Sequence, residues 1–515
     1  MKKDETTYDQ PEKEKVRKLI IKEAVDSLTV NRINSVCVDK SYVRNVRQYF
    51  LEDYETLEQK EAERIESIDL VAWENLFSSV NKVKYPQDLK VCYLSGPEPS
   101  NDFNAFIKMG VLPQNILAFE KDNESYNIAL NESAYDNFLK PKIVKYGIEN
   151  YFRDIPKKFD IVYLDACGSV PSKKHALRCF ASLCKYHRLE SPGVVITNFS
   201  SPFGYNQSSY EGMEYDIEMM ALYLFCKDRE QDQLYFERDK KRLNSQRLES
   251  LRKMVVNNFD RFYGDFLTSV IMDISSIVIP YLRFANSNFL GNIIDGKIPK
   301  NKSKIKVQDL NNKYKNSIFK FFNICKYYDT NKGIDPGIRN KLNLLISELT
   351  GLGGEYTIDL YSTSTLIQSI KNRDINLKVN IVKQLEYFNG ESIHQFLDKP
   401  NSNLYIDCIL NQVGYPLHPV VNKIKRYKYK AKSTAMFTDL IVLDECRYIY
   451  DWLPTINQID QAFENRSLQY VFRFALDGLI KNRLNYNNEF FYSGSVISDG
   501  EKGFNSKQLE IREDI

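Results

Sequence analysis

The sequence predicts an α/β protein organised around a largely parallel sheet buried on both faces. Three observations carry that expectation. Five short, nearly continuous apolar runs lie between Asp88 and Ser200, and segments with helical spacing separate them. Each run stops abruptly on glycine or polar residues, and the second and fourth stop on carboxylates. Apolar runs alternating with helices are what strands need when helices cover both faces, because neither face then meets water. In such sheets ligands sit outside the carboxyl ends of the strands, where the polar residues gather here.

Taken in order, the first run is Leu89–Gly96 (LKVCYLSG), followed by a turn containing Pro97, Glu98, Pro99 and Asp102. The second, Asn115–Asp122, ends in Glu120 and Asp122, and the third, Lys142–Gly147, stops at glycine. The fourth, Phe159–Gly168, stops at Asp165, and the fifth, Gly193–Ser200, stops at Asn198. Phe103–Gly110, Glu124–Leu130 and Lys174–Tyr186 have the spacing of the intervening helices. Upstream, Val16–Leu28, Tyr42–Glu66 and Ile68–Val80 read as helices, with Met1–Lys15 polar and frayed. Pro86 marks the break before the first strand.

Beyond Ser200 the pattern changes. Ser201–Gln207 reads as a loop, Glu211–Phe225 and Gln231–Val256 as helices, and helical spacing continues through Val255–Leu282. Lys297–Lys306 is a lysine-rich loop, and Ser317–Tyr328 reads as an aromatic-rich helix. Lys423–Ala431 and Ala435–Glu445, joined by a short polar link, predict a hairpin. No such pair follows Ser200 directly, so this hairpin is expected to complete the sheet. Asp460–Leu479 is helical, and the tail from about Gly494 reads as loosely ordered. The division is therefore 1–86 helical lead-in, 87–205 sheet, 206–400 mainly helical insertion or lobe, and 401–515 a C-terminal α/β region.

Composition bounds the function classes. With 71 basic and 68 acidic residues among 515, the net charge is +3, so any polyanion surface must be local. Nine scattered cysteines without a CxxC pair and without a signal peptide suggest a reducing cytoplasm. His175, Cys179, Cys184 and His187 share one predicted helix, but buried thiols on an apolar face explain them better than zinc, and no metal is expected. No apolar run reaches ~18 residues, so no membrane span is expected. The best candidate, Ser269–Leu282, carries Asp273.

The ligand can be argued from the strand ends. A dinucleotide site needs GxGxxG after the first strand so that backbone can approach pyrophosphate. Gly96-Pro97-Glu98-Pro99-Ser100-Asn101 lacks it and sets a carboxylate where phosphate would lie. A cationic ligand without phosphate suits this turn better. The order of segments resembles a class I S-adenosylmethionine (SAM)-dependent methyltransferase. LSGPEPSND stands in the place of motif I, FEKD of motif II, YGIEN of the adenine-side loop and LDACG of motif IV. Within that class, the segment from Val162 resembles the LDPYGSP-type element of tRNA guanine dimethyltransferases. Motif I departs from the class in having one glycine, and motif IV lacks DPPY or NPPY.

The resemblance implies a Rossmann-like methyltransferase sheet with SAM as cofactor. It implies that Gly96, near Glu98, approaches the methionine part, and that Glu120, backed by Asp122, holds the ribose. Ile148 and Glu149 would flank adenine, and Asp165 would face the transferring methyl or target amine. Nucleic acid, RNA or DNA, is the expected substrate, because Arg426, Lys428, Lys430 and Lys432 alternate with Tyr427 and Tyr429 on one strand. An edge strand guarded by lysines reads the same way. A catalytically inactive sensor or scaffold and a protein methyltransferase remain as alternatives.

Overall fold

The computed structural model describes residues 10–53, 57–134, 139–166, 168–171, 176–204, 210, 212–225, 242–295, 335–351, 366, 375–378, 410–431, 433–452, 465–482, 496–497 and 500–515. Nine strands form one sheet among these: β1 (Val91–Leu94), β2 (Ile116–Phe119), β3 (Lys142–Val144), β4 (Phe159–Asp165), β5 (Leu189–Gly204), β6 (His418–Pro419), β7 (Lys425–Ala431), β8 (Thr434–Asp444) and β9 (Glu513–Asp514). The order is β3-β2-β1-β4-β5-β8-β7-β9, with β6 on the end of β8. β1 to β5 are parallel, whereas β8 runs antiparallel to both β5 and β7. The hairpin therefore completes the sheet, with Leu440 opposite Ile196 and Val442 opposite Val194.

The period-two alternation of strands sorts side chains into two cores. On one face Ile161, Tyr163, Val194, Ile196, Met436, Leu440 and Val442 meet the N-terminal helix α1 (Pro11–Leu28) and its neighbours α2 (Tyr42–Asp53), α3 (Leu57–Glu63) and α4 (Ser67–Val80). α5 (Ser100–Lys108), which follows β1, lies on the same side. On the other face Val162, Leu164, Val195, Phe437, Ile441 and Leu443 pack against later helices. Among these are α7 (Ile148–Asp154), α8 (Ala176–Lys185), α9 (Glu214–Phe225) and α11 (Phe259–Asp273); in chain order α6 (Asn123–Ala134) precedes α7, and α10 (Arg242–Asn257) lies between α9 and α11. Both faces of β4, β5 and β8 are dry, which is why these strands read as continuous apolar runs.

Four expectations change. α1 starts at Pro11, so Pro11–Lys15 is helical; Pro at the first helical position suits a turn whose N–H groups lack partners anyway. β5 runs on from Ser200 to Gly204, and Pro202 fits because the register shifts between Ser200 and Gly204. Of the tail, β9 pairs in parallel with β7, and Arg512 pairs with Asp439 at 2.5 Å. α11 continues through a π-helical turn (Ile274–Val278) into α12 (Ile279–Asn286). That Phe259–Asn286 stretch is long and apolar enough to cross a membrane, yet 78% of its apolar window is buried inside the protein. Asp273 within it accepts a hydrogen bond from the Tyr223 hydroxyl. The segments Lys297–Lys306 and Ser317–Tyr328, together with residues 460–464, lie outside the described residues.

Leu440 is fully buried between β5 and β7. Leu440→Ala should cost about 2–5 kcal/mol, read as a lower urea midpoint at unchanged slope.

Candidate active site

The carboxyl ends of β1 to β5 form one edge, and the site is built along it. After β1 the chain turns at Gly96, whose φ is +57°, a left-handed value that a side chain resists. A Cβ added there would meet nothing within 4 Å, so the backbone stands open to a ligand. The Ser95 amide donates to the Phe119 carbonyl at 3.0 Å and ties this turn to β2. Glu98 accepts from the Asn101 amide group at 2.8 Å, one turn into α5. Asp102 is buried and pairs with Arg17 of α1 at 2.7 Å.

At the end of β2 one oxygen of Glu120 accepts from the Asp122 backbone N–H at 2.8 Å. Asp122 in turn accepts from the Ser125 amide at 2.9 Å, capping the first turn of α6. That bond holds the Asp122 carboxyl below the usual range. After β3, Gly147 precedes α7. Ile148 is buried among core side chains, so its neighbour Glu149 is the one that brings a polar group. One carboxylate oxygen of Glu149, Oε2, is buried and has no hydrogen-bond partner. The nearby Cys179 thiol is pushed up to about 12, by burial first and then by Glu149.

Asp165 closes β4 opposite Asn198 of β5, on the α1 face of the sheet. One oxygen accepts from Asn198 Nδ2 at 2.9 Å, and the other pairs with Lys13 Nζ of α1, also at 2.9 Å. The same amide donates to the Tyr429 hydroxyl at 3.0 Å, while Asn198 Oδ1 accepts from the Thr438 hydroxyl at 2.7 Å. Asn198 is thus held from β4, β7 and β8 at once, and its orientation is set. Lys13 and Arg17, one turn apart on α1, face Asp165 and Asp102. Burial foremost raises the Asp102 carboxyl, with Asp165 adding to the effect and Arg17 and Lys13 opposing it. Burial pushes the Tyr163 hydroxyl well up as well, reinforced by Asp165 and Asp102.

Gly96, Glu98, Glu120, Glu149 and Asp165 follow the carboxyl ends of β1 to β4 along one edge of the sheet. Sequence reasoning missed Lys13, Arg17 and Thr438, and it set Tyr429 in the basic strip, whereas the residue is buried with its hydroxyl on Asn198. Lys13 falls in the stretch read as frayed, and the spacing of Arg17 beside Val16 and Ile20 marks a helix face without saying which acids that face meets. Cys167 and Lys432 lie outside the described residues.

The basic strip needs correcting as a surface. Arg426 is buried, bonded to Asp265 at 2.5 Å and to the Thr268 hydroxyl at 3.1 Å. Lys428 pairs with Asp260 at 2.7 Å, whereas Lys430 is exposed. Alternation puts these residues on one face as predicted, but α11 covers that face and supplies acids.

Of the histidine and cysteine group, His175 lies outside the described residues, burial pushes the Cys184 thiol of α8 up to about 12, and His187, beyond the end of α8, lies 3.0 Å from Glu445. A different set, Cys37, Asp444 and Cys446, has ligand atoms within 4.8 Å of one another. Asp444 there already accepts from the Cys37 and Cys446 amides, both at 2.9 Å, from Ser191 at 3.1 Å and from Tyr448 at 2.6 Å. Burial raises the Cys446 thiol well above its ordinary value. Such a donor set fits a hydrogen-bonded joint between the lead-in and β8 better than a cation.

A parallel sheet ended by an antiparallel β8 between β5 and β7 defines the class: an α/β fold of Rossmann-like, methyltransferase type. No protein-family model matches the chain, and no curated protein matches it. Among solved structures it is similar to a SAM-dependent methyltransferase from Clostridium acetobutylicum, at 16% identity and a TM-score of 0.18. That match covers 32% of this chain and 65% of the other. It is also similar to a caffeoyl-CoA O-methyltransferase candidate from Staphylococcus aureus, at 14% identity and a TM-score of 0.18, covering 44% and 88% respectively. Likeness at this level carries no argument about this chain.

Asn198→Ala should destabilise the chain by about 1–3 kcal/mol in chemical denaturation, because it strips partners from Asp165, Tyr429 and Thr438 together.

Proposed function

We propose that the chain is a SAM-dependent methyltransferase, with the cofactor along the ends of β1 to β3 and the acceptor at Asp165. The observation that carries this is the buried, unpartnered Oε2 of Glu149 beside the α7 N-terminus. An acceptor left so costs about 1–3 kcal/mol, and more when charged, unless a ligand brings a donor. The exocyclic amine of adenine is such a donor. Glu120, one strand over, suits ribose hydroxyls, and the open backbone at Gly96 suits the methionine end. Glu98 disfavours phosphate there and tolerates a sulfonium and an ammonium.

The cofactor would supply an electrophilic methyl group. The chain's part is to hold the acceptor in line and to favour the positive charge that grows on it. Asp165 serves that role, and Asn198 keeps its carboxylate in one orientation. A catalytically inactive sensor is the second reading. Lys13 favours it, because its ammonium already neutralises Asp165. Nucleic acid as the acceptor rests on the segment resembling tRNA-directed enzymes; Arg426 and Lys428 lend it no support, since they pair with acids of this chain.

Calorimetric titration tests the cofactor. SAM and S-adenosylhomocysteine should bind and NAD should not; the reverse result ends the proposal. Glu149→Leu should leave the unliganded chain at least as stable in a thermal melt, yet weaken SAM binding by about tenfold or more. Glu120→Ala should cost about 1.5–3 kcal/mol of binding on the same instrument. Asp165→Asn should melt within about 1 kcal/mol of the parent while losing turnover, whereas wild-type specific activity with lowered stability marks a turn cap only.

A further inference from the structure

We infer that Lys13 is a methyl acceptor of the chain's own active site, an inference that rests on the methyltransferase reading above. Its Nζ lies 2.9 Å from Asp165 Oδ2, where that reading puts the target amine. Lys13 stands in the first turn of α1, the end of a helix that disfavours a cation. Its neighbours Glu12 and Glu14 are the acids expected at such an end. What offsets the misplaced charge is Asp165, whose geometry is set independently by Asn198. One turn on, Arg17 is sunk against Asp102, with side-chain exposures of 13% and 5%, and anchors the helix. The Lys13–Asp165 pair is more open, at 24% and 10%, so the amine can leave the carboxylate without unseating α1.

The Lys13 ammonium gives one proton to solvent, and its lone pair bonds to the methyl carbon of SAM. The carbon–sulfur bond breaks with its electron pair passing to sulfur, leaving methylated Lys13 and S-adenosylhomocysteine. Asp165 holds the cation before and after the transfer.

The full-length chain, incubated with SAM labelled in its methyl group, tests this by peptide mapping alongside calorimetry. Label is expected on the peptide holding Lys13 and not on Lys15 or Lys18. The rate should be independent of protein concentration, as for a reaction within one molecule. Lys13→Arg should abolish that label and keep SAM affinity within about twofold, and Asp165→Asn should slow labelling by about tenfold or more at similar affinity. SAM that binds without labelling Lys13 overturns the inference and leaves the cofactor assignment standing. Equal label on neighbouring lysines, or a rate that scales with concentration, also overturns it. Failure of SAM to bind removes both.

Discussion

The antiparallel pairing of β5 with β8 is the constraint on which the rest depends. It runs from Gly193 opposite Leu443 to Ser200 opposite Met436 without a break in register. Because β8 is buried on both faces, its insertion gives α1 and α11 opposite sides of the same strands to pack on. A shift of one residue would turn Leu440 and Val442 away from α1 and bring Ile441 and Leu443 towards it, exchanging the two cores. It would also carry Thr438 off Asn198, and with it the orientation of the carboxylate at the end of β4.

The polar edge follows from that register. Asp165, Asn198, Thr438 and Tyr429 come from four strands and meet on one face because alternation points them the same way. Buried polar groups of this kind are tolerable only when each finds partners, and a fully connected set is rigid. Lys13 and Arg17 extend the network from the lead-in, joining the first helix of the chain to the end of β4 and to α5. Protein groups from several elements meet at Asp165, whereas one buried oxygen of Glu149 stays without a hydrogen-bond partner.

Charge on a strand illustrates how burial changes a reading. Arg426, Lys428 and Lys430 lie on one face, as alternation demands, and a row of cations looks like a surface for phosphate. α11 crosses that face and offers Asp260 and Asp265, so Arg426 and Lys428 serve internal pairs. Nothing local to KRYKYK distinguishes the two outcomes. The acids that decide it lie more than 150 residues earlier.

The sequence by itself determined the strands β1 to β5, their helices, and the acids at the strand ends, because those signals are local. An apolar run bounded by glycine or acid specifies a buried strand and its exit within a few residues. It also marked the hairpin, through two β-rich runs and a short polar link. Only the tertiary structure decided which residues meet. That Lys13 reaches Asp165, that Asn198 is held from three strands, that Arg426 turns inward and that Arg512 returns to Asp439 are contacts between distant segments. Such pairings arise when burial of the two sheet faces brings helices and strands together, and side chains then find partners according to distance and charge, not order along the chain.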